Sequence, residues 1–225
     1  MSTAIILDTE TTDKELPEVI ELAWRGFALG PVIGGLSGRG SARFKPKSPS
    51  KWGALATHHI LMEELEGLPP SAGALAEVPA ADYWIGHNVD FDWKALDMPP
   101  VKRICTLAMA RRLWPEVDSH SLTALMYFVC GATAATREVV RHAHGAAADV
   151  EMCGEILRAI IAVAKVNSLE QLYMFSEEAR IPTHWTFGKF KDQPIEAADR
   201  GYANWCRRQP DFDPYVLEAL RRAGL

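Results

Sequence analysis

Carboxylates and a histidine stand at three separated places in the sequence where they could hold metal ions. Asp8 and Glu10 occur in "AIILDTETT", where an apolar run ends in two acids separated by one residue. Side chains two apart in a strand point the same way, so the two carboxylates share a face with alpha carbons about 7 Å apart. Two buried anions are unfavourable together unless a positive charge lies between them, and a divalent cation would supply it. For an isolated pair, the alternative is a turn cap or a surface ion pair with an arginine.

Further acids occur where two helices are predicted to begin. Asp92 lies in "HNVDFDW", on the first turn of a helix, and Asp149 lies in "HGAAAD", early in a long helix and five residues after His144. Helix N-termini favour negative side chains. The four acids could therefore converge on two cations about 3.5–4 Å apart, the arrangement used for in-line displacement at phosphorus. A histidine beside them has a pKa suited to taking a proton from the attacking water.

The composition is that of an ordinary globular protein. The chain has 225 residues, of which 48% are apolar and 24% charged, with a net charge of -5. A negative net charge ordinarily counts against nucleic acid as a partner, although an acidic body also suits a site for divalent cations. We expect no signal segment and no membrane span, since no apolar run reaches the roughly 20 residues that a span needs. Four scattered cysteines form no C-x-x-C pair, which suits a reducing cytoplasm.

The elements that must position these acids are predicted from periodicity and turn residues. "AIILDTE" and residues 18–29 are expected as strands, and a Gly30–Pro31 turn leads to a third strand near Arg43, which together would form an antiparallel meander. Short helices follow from Ser50 onwards. We predict one buried strand over residues 82–88 and the last strand in "KRICT".

The second half of the chain is predicted to be mostly helical. A helix in "LAMARRLWP" should stop at Pro115, another should close at Gly131, and the longest helix should run from Ala146 to about Val166. The pattern weakens over residues 167–184, which we interpret as a linker. Strands followed by alternating helices and strands indicate an α/β class with a mixed sheet covered by helices.

The three motifs together resemble those of a known enzyme superfamily. "DTET", "HNVDFD" and "HGAAAD" are similar in order, spacing and residue type to the three motifs of the DEDDh exonucleases, which belong to the ribonuclease H-like superfamily. The histidine in H-x4-D selects the "h" branch. The resemblance covers roughly residues 4–166, and it implies a five-stranded mixed sheet flanked by helices in an exonuclease domain over residues 1–166.

The resemblance also implies an activity and roles for individual residues. Asp8, Glu10, Asp92 and Asp149 would be metal ligands, and His144 would be the general base. The expected cofactors are two Mg2+ or Mn2+ ions, and the expected reaction is metal-dependent 3'-5' hydrolysis that releases 5'-mononucleotides from DNA 3' ends, single-stranded or frayed, in repair or end trimming. RNA is an alternative substrate in place of DNA, and protein partners are unknown.

Five residues are candidates for contacts to the substrate. Thr11 and Thr12, just past the first strand, are interpreted as donors to the terminal 3' hydroxyl. His58 and Ile60 match an "H-x-I" stretch that approaches the terminal nucleotide in the family, and helix packing is an equal alternative for them. Asn88 is evenly balanced between a phosphate contact and support of the strand end.

Nearby residues are assigned structural roles. We predict that His87 supports the strand end, that Asp90 is solvated or caps a helix, and that Thr9 belongs to the core. Arg111 and Arg112 are interpreted as a solvated helix face, with tracking of phosphates as the alternative.

Residues 185–225 form a small C-terminal module in this interpretation. "ICTLAMARRLWPE", "TFGKF" and "GYANW" are similar to segments of the exonuclease X branch of the superfamily, and Asp192 stands where that pattern has glycine, which leaves the loop shape open. Five residues of the module combine aromatic rings with positive charge, a composition that suits single-stranded DNA: Phe187, Lys189, Phe190, Lys191 and Tyr202. The equal alternative is a small core with exposed lysines.

Two further functions remain open from the sequence. One is trimming of RNA, because the same motifs serve RNA and no residue identifies contact with a 2' hydroxyl. The other is a DNA-binding module without catalysis. The complete set of acids and histidine argues against that second hypothesis, because a protein that only bound DNA would gain affinity by losing the negative charges.

Overall fold

A computed structural model of the protein describes residues 3–29 and 38–225. The described part forms one five-stranded mixed sheet with strand order β3-β2-β1-β4-β5. The strands are β1 (Ala4–Thr11), β2 (Val19–Phe27), β3 (Arg39–Arg43), β4 (Tyr83–Gly86) and β5 (Lys102–Cys105). The antiparallel pairs β1–β2 and β2–β3 form the predicted meander, and the predicted Gly30–Pro31 turn lies outside the described residues.

Strand β1 lies at the apolar centre of the sheet, with a paired strand along each of its edges. It pairs antiparallel with β2 and parallel with β4, and its residues Ala4 to Leu7 are buried. A strand covered on both faces is expected to have such a continuous apolar run. The acids of "DTET" therefore begin where β1 leaves the interior of the sheet.

Nine helices are present in the described residues, and the longest runs past the centre of the sheet. They are α1 (Trp52–His58), α2 (Val89–Ala95), α3 (Thr106–Leu113), α4 (Leu122–Cys130), α5 (Ala134–Val140), α6 (Ala146–Ala164), α7 (Leu169–Arg180), α8 (Arg200–Arg208) and α9 (Pro214–Arg222). Helix α6 packs on β1 and β2 through a buried stripe that includes Val150, Cys153 and Leu157. None of the described helices is both long and apolar enough to cross a membrane.

Several predicted helices differ from the structure in type or extent. Residues Met62–Leu65 and Ser71–Glu77, expected as helix turns, are 3-10 helices. The expected linker over residues 167–184 instead contains α7, where Leu172 and Ser176 are fully buried and the Ser176 hydroxyl accepts a hydrogen bond from the Cys105 N–H at 2.8 Å. Much of this segment is helical where a linker was expected, because the helical pattern of α7 is weak and its stability comes from distant contacts. The boundary between two compact units, after Ser176, does lie within residues 167–184.

The chain divides into two compact units, Met1–Ser176 and Glu177–Leu225. The second unit has its own small core, which includes Trp185, Ile195, Cys206 and Leu220. Asp192 adopts a φ of 66°, and its N–H donates to the Trp185 carbonyl at 2.8 Å. This position uses the left-handed conformation that glycine adopts most readily and that aspartate tolerates.

Candidate active site

Strand β1 brings the first two predicted metal ligands together at its carboxyl end. Asp8 lies opposite Ala23 and Glu10 lies opposite Glu21 of β2, and a bulge follows between Glu10 and Thr11. One carboxylate oxygen each of Asp8, Glu10 and Asp149 lies within 4.8 Å of the other two. Three carboxylates from two distant segments thus meet at one point.

The fourth predicted ligand, Asp92, is buried on the first turns of α2 and is held by β1. Its Oδ1 accepts hydrogen bonds from the Thr9 N–H at 2.9 Å and from the Thr9 hydroxyl at 2.7 Å. Thr9 is buried, as expected, but its contact with Asp92 was not anticipated. Because Thr9 stands between Asp8 and Glu10 in the chain, this contact fixes Asp92 relative to both of them.

Asp149 and His144 are joined across the start of α6. The His144 N–H donates to Asp149 Oδ1 at 3.2 Å, and His144 has a φ of 69° in the left-handed region. A non-glycine residue rarely adopts this conformation unless surrounding contacts hold it there. The His144 side chain is exposed, so the imidazole can exchange protons with solvent.

The four carboxylates raise one another's pKa values. Burial, followed by the charges of Asp92 and Asp149, raises the pKa of Asp8 well above its usual value. Burial and the Asp149 charge raise the pKa of Glu10 to about 8. Burial raises the pKa of Asp92 to about 7 despite the opposing hydrogen bonds from Thr9, and burial also raises the pKa of Asp149.

This donor set fits divalent cations. All four side chains offer oxygen ligands, which Mg2+ and Mn2+ prefer. Burial and the neighbouring carboxylates both raise the pKa values of Asp8 and Glu10, so the fully ionised cluster is unfavourable in the protein alone. Bound cations would offset this cost.

Glu21 is a fifth acid at this site, and the sequence analysis missed it. It is buried, its Oε2 accepts a hydrogen bond from the Ala146 N–H at 2.9 Å, and its Oε1 accepts one from Arg43 Nε at 2.7 Å. Glu21 therefore links β2 and β3 to the first turn of α6, the helix that carries Asp149. Glu21 lies directly opposite Glu10 because of the register between β1 and β2, and the sequence pattern alone does not determine that register.

Replacing Glu21 with alanine is expected to destabilise the chain by about 1–3 kcal/mol, because the buried Ala146 N–H loses its acceptor. The start of α6 would also become less fixed, so turnover should fall. Glu21→Gln keeps an acceptor oxygen and should lose less on both counts. Urea unfolding and turnover at saturating substrate measure these effects.

Glu64→Gln is the matched control, since Glu64 also pairs with Arg43, at 3.2 Å, but is more exposed. A Glu21→Ala chain as stable and as active as Glu64→Gln would show that Glu21 does not hold the helix.

Thr11 and Thr12 are both buried, and their hydroxyls are engaged within the loop after β1. The Thr11 hydroxyl donates to the Asp13 carbonyl at 3.0 Å, and Thr12 Oγ1 accepts from the Glu18 N–H at 3.2 Å. The Thr12 carbonyl accepts from the Lys51 N–H at 2.9 Å. These bonds shape the loop, and a role in holding substrate remains a prediction.

His58 and Ile60 are both buried beside this loop. His58 Nδ1 accepts from the Ile60 N–H at 2.9 Å, while the buried Nε2 has no hydrogen-bond partner among the described residues. Ile60 packs on Ile20 and Leu65 and also lines a cavity of about 730 Å³ with Trp52. A buried ring nitrogen without a partner is unfavourable, so Nε2 is available to a bound group.

The strand end at "GHN" is organised mainly by local structure. Asn88 has a φ of 78° and begins α2, and its exposed side chain makes no hydrogen bond with the described residues. His87 Nε2 lies 2.8 Å from the His120 carbonyl, and Nδ1 lies 3.0 Å from the Thr106 hydroxyl. Asp90 pairs with Arg103. These contacts agree with structural support by His87.

Other residues around the site have structural positions. Trp84 and Trp114 are buried in the core, and Trp93 is half-buried. Arg111 and Arg112 are exposed on α3, as expected for residues on a solvated helix face.

His87 should make the stability of the protein depend on pH. Burial lowers its pKa to about 4 from the ordinary histidine value of 6.5. Between these values the unfolded chain binds a proton that the folded chain does not, so the contribution of His87 to stability is complete above pH 6.5 and is lost as the pH falls through 4. The loss is up to about 3 kcal/mol.

His87→Gln should therefore reduce the slope of the unfolding free energy against pH between pH 4 and 6.5, relative to the wild type, as measured by urea unfolding. His142→Gln, a change at an exposed histidine, is the control and should keep the wild-type slope. An unchanged slope in His87→Gln would mean that another group causes it.

Comparison with known proteins finds similar chains among nucleases. No family model matches the chain. Exodeoxyribonuclease 10 of Escherichia coli strain K12 is 25% identical over 203 residues, which cover 89% of this chain and 88% of that protein. Among solved structures, exonuclease X in complex with 5' overhanging duplex DNA matches with a TM-score of 0.65 and 25% identity, over 77% of this chain and 99% of that chain.

A more distant match shows the fold alone. The zinc-bound complex of E. coli exonuclease I with single-stranded DNA has a TM-score of 0.57 and 18% identity, over 78% of this chain and 42% of that chain. The predicted ribonuclease H-like architecture, a five-stranded mixed sheet flanked by helices, is confirmed by these matches.

Proposed function

We propose that the chain is a member of the DEDDh exonuclease superfamily and acts as a metal-dependent 3'-5' exodeoxyribonuclease that releases 5'-mononucleotides from DNA ends during repair or end trimming. The observation that carries the proposal is the convergence of Asp8, Glu10 and Asp149 within 4.8 Å. The similarity to exodeoxyribonuclease 10 over most of both chains supports DNA as the substrate.

The cluster must be neutralised before a DNA phosphate can approach. Four carboxylates repel a phosphodiester, whose charge has the same sign. Two Mg2+ or Mn2+ ions, held by Asp8, Glu10, Asp92 and Asp149, would supply positive charge that activates the attacking water and stabilises the negative charge developing on the leaving 3' oxygen. Hydrolysis should therefore depend on a divalent cation.

His144 is the proposed general base. Its imidazole is exposed, while its backbone N–H is tied to Asp149 Oδ1 at 3.2 Å, so the ring is anchored at the site and open to solvent. It would take the proton from the attacking water and pass it to solvent. A positioned side chain of this kind contributes about 10²–10⁴-fold to the rate.

The remaining residues would hold the reacting groups in place. Thr9 fixes Asp92 through two hydrogen bonds, and Glu21 fixes the first turn of α6 below Asp149. His58 Nε2, buried without a partner among the described residues, would bond the terminal nucleotide, and Ile60 would present apolar surface to it. Thr11, Thr12 and Asn88 are the other proposed substrate contacts.

Digestion of matched oligonucleotides tests the proposal. DNA and RNA of the same sequence are incubated with the full chain in Mg2+ or in EDTA, and the products are identified by chromatography. Nucleoside 5'-monophosphates should appear from DNA, in Mg2+ only. Release from RNA alone would overturn the assignment of DNA, and equal activity in EDTA would overturn the role of the carboxylates.

A further inference from the structure

Four aromatic side chains of the C-terminal unit form a continuous, partly exposed surface, which we call the aromatic face: Phe187, Tyr202, Trp205 and Phe212. The rings of Tyr202 and Trp205 stack with centroids 5.5 Å apart and planes 23° apart. Phe212 lies 6.3 Å from Trp205 and 5.9 Å from Phe187, both edge-on. Trp205 is 46% exposed and Phe187 is 39% exposed.

The core of the unit does not account for this exposure. Trp185, Ile195 and Leu220 are fully buried beneath the aromatic face and already form a contiguous core. Large rings left in water forgo the free energy that burial of their apolar surface would give. Adjacent exposed rings on one surface commonly mark a binding site.

The rings are held in place from below, so the surface is preformed. Tyr202 contacts Trp185 and Phe190, each with centroids 5.1 Å away. Gly188 has a φ of 71°, and a Cβ atom there would lie 2.3 Å from the Tyr202 hydroxyl. Gly188 therefore permits the close approach that fixes Tyr202 against its neighbours, and Tyr202 in turn supports Trp205.

Positive charge accompanies the aromatic face. Helix α8 has three arginines and no acid in its nine residues. Ala203 and Cys206 are its buried positions, so Trp205 and Arg208, three residues apart, share the outward side of the helix. Arg200 and Lys191 are exposed nearby in the sequence.

The acids of the unit lie outside α8: Asp192, Glu196 and Asp211 are exposed, and three others make local contacts. Asp199 and Asp213 cap α8 and α9 through the N–H groups of Tyr202 and Tyr215, each at 2.8 Å. Glu218 pairs with Arg221 and Arg222. The charge on the outward side of α8 is therefore cationic, which favours an anionic occupant over a neutral apolar one.

We propose that the aromatic face binds single-stranded DNA, with bases stacking on Trp205 and Phe187 and phosphates attracted by Arg208. Stacked aromatic side chains flanked by cations bind single strands with little sequence preference, because every base offers a flat face. The inference rests on the proposed function for the identity of the polymer. It adds a second DNA site outside the carboxylate cluster.

Binding of the full chain to labelled DNA in EDTA tests this inference without hydrolysis. Fluorescence anisotropy compares a 15-nucleotide thymidine strand with an abasic strand of equal length and charge. The wild type should prefer the strand that has bases, and Trp205→Leu should lose that preference and weaken binding about ten-fold. Trp205→Phe should retain most of it. Arg208→Ala should weaken both strands and reduce the salt dependence by about one counterion.

Two matched variants control for surface changes, and circular dichroism checks folding. Met174→Ala changes an exposed apolar residue of α7, and Arg221→Ala changes an exposed arginine of α9; both should bind like the wild type. Wild-type affinity in a folded Trp205→Leu chain would overturn the inference, as would equal binding of both strands by the wild type. Self-association that Trp205→Leu abolishes, without any preference for bases, would assign the face to a second copy instead.

The same variants separate this inference from the proposed catalytic function. Trp205→Leu should raise the DNA concentration needed for half-maximal hydrolysis and leave turnover at saturating DNA unchanged. A chain that binds the thymidine strand through Trp205 but hydrolyses no DNA would refute the exonuclease and leave the binding site standing.

Discussion

Asp8→Asn is expected to abolish DNA hydrolysis and, at the same time, to stabilise the metal-free protein. Loss of one of the acids that converge within 4.8 Å removes a cation ligand, and we expect turnover to fall by at least about 10³-fold. In metal-free protein the same carboxylate is repelled by its neighbours, as the raised pKa values of Asp8 and Glu10 show. Neutralising it removes that repulsion.

The stabilisation should depend on pH in a defined direction. The pKa of Glu10 is raised from 4.5 to about 8, so the folded protein retains a proton that the unfolded chain releases in this range. The contribution of Glu10 to stability is therefore complete below pH 4.5 and is lost as the pH rises through 8. The benefit of Asp8→Asn should be small at pH 6 and reach about 1–2 kcal/mol at pH 9, or roughly 3–6 °C in Tm.

Thermal unfolding in EDTA at the two pH values measures this effect. Asp118→Asn, the same chemical change at an exposed acid outside the site, should alter neither stability nor activity. Addition of Mg2+ should raise the Tm of the wild type and not that of Asp8→Asn, because a ligand stabilises only the state that binds it. A destabilised Asp8→Asn chain at pH 9 would show that the carboxylates do not repel one another.

His144→Ala is expected to reduce turnover by about 10²–10⁴-fold while leaving cation binding intact. The imidazole of His144 is not among the groups that cluster as cation ligands. The hydrogen bond between His144 and Asp149 is made by the backbone N–H of His144. The substitution keeps that N–H, so the position of Asp149 should be preserved. The loss should therefore appear in turnover at saturating DNA and Mg2+.

His142→Ala provides a matched control, because His142 is also exposed and lies two residues earlier in the same segment. It should keep full activity, and the increase of Tm with Mg2+ should be the same in both variants. Equal losses from His142→Ala and His144→Ala would mean that the segment, not the imidazole of His144, is required.

The sequence predicted those parts of the site in which local pattern and chemistry coincide. The apolar run before Asp8, the two-residue spacing to Glu10 and the helix start before Asp149 are local features, and the structure places all three acids together. The five strands were likewise predicted close to their observed positions. Metal-ion chemistry made convergence of these segments a hypothesis, and the resemblance to a family linked them across the chain before the structure did.

Contacts between distant segments could not be predicted in the same way. The bonds from Thr9 to Asp92 span 83 residues, and the bond from Ala146 to Glu21 spans 125. Both depend on register and on the approach of helices to the sheet, which residue periodicity does not specify. Helix α7 was missed for a related reason, since Ser176 is buried by its contact with Cys105.

The most direct test of the central claim is digestion of a single-stranded DNA labelled at its 5' end, with phosphorothioate linkages placed at either end. With Mg2+, the labelled strand should shorten stepwise from its 3' end, and 3' phosphorothioates should protect it whereas 5' phosphorothioates should not. The Asp8→Asn chain should leave it intact. Immediate release of the labelled 5' nucleotide, or cleavage within a strand protected at its 3' end, would contradict a 3'-5' exonuclease.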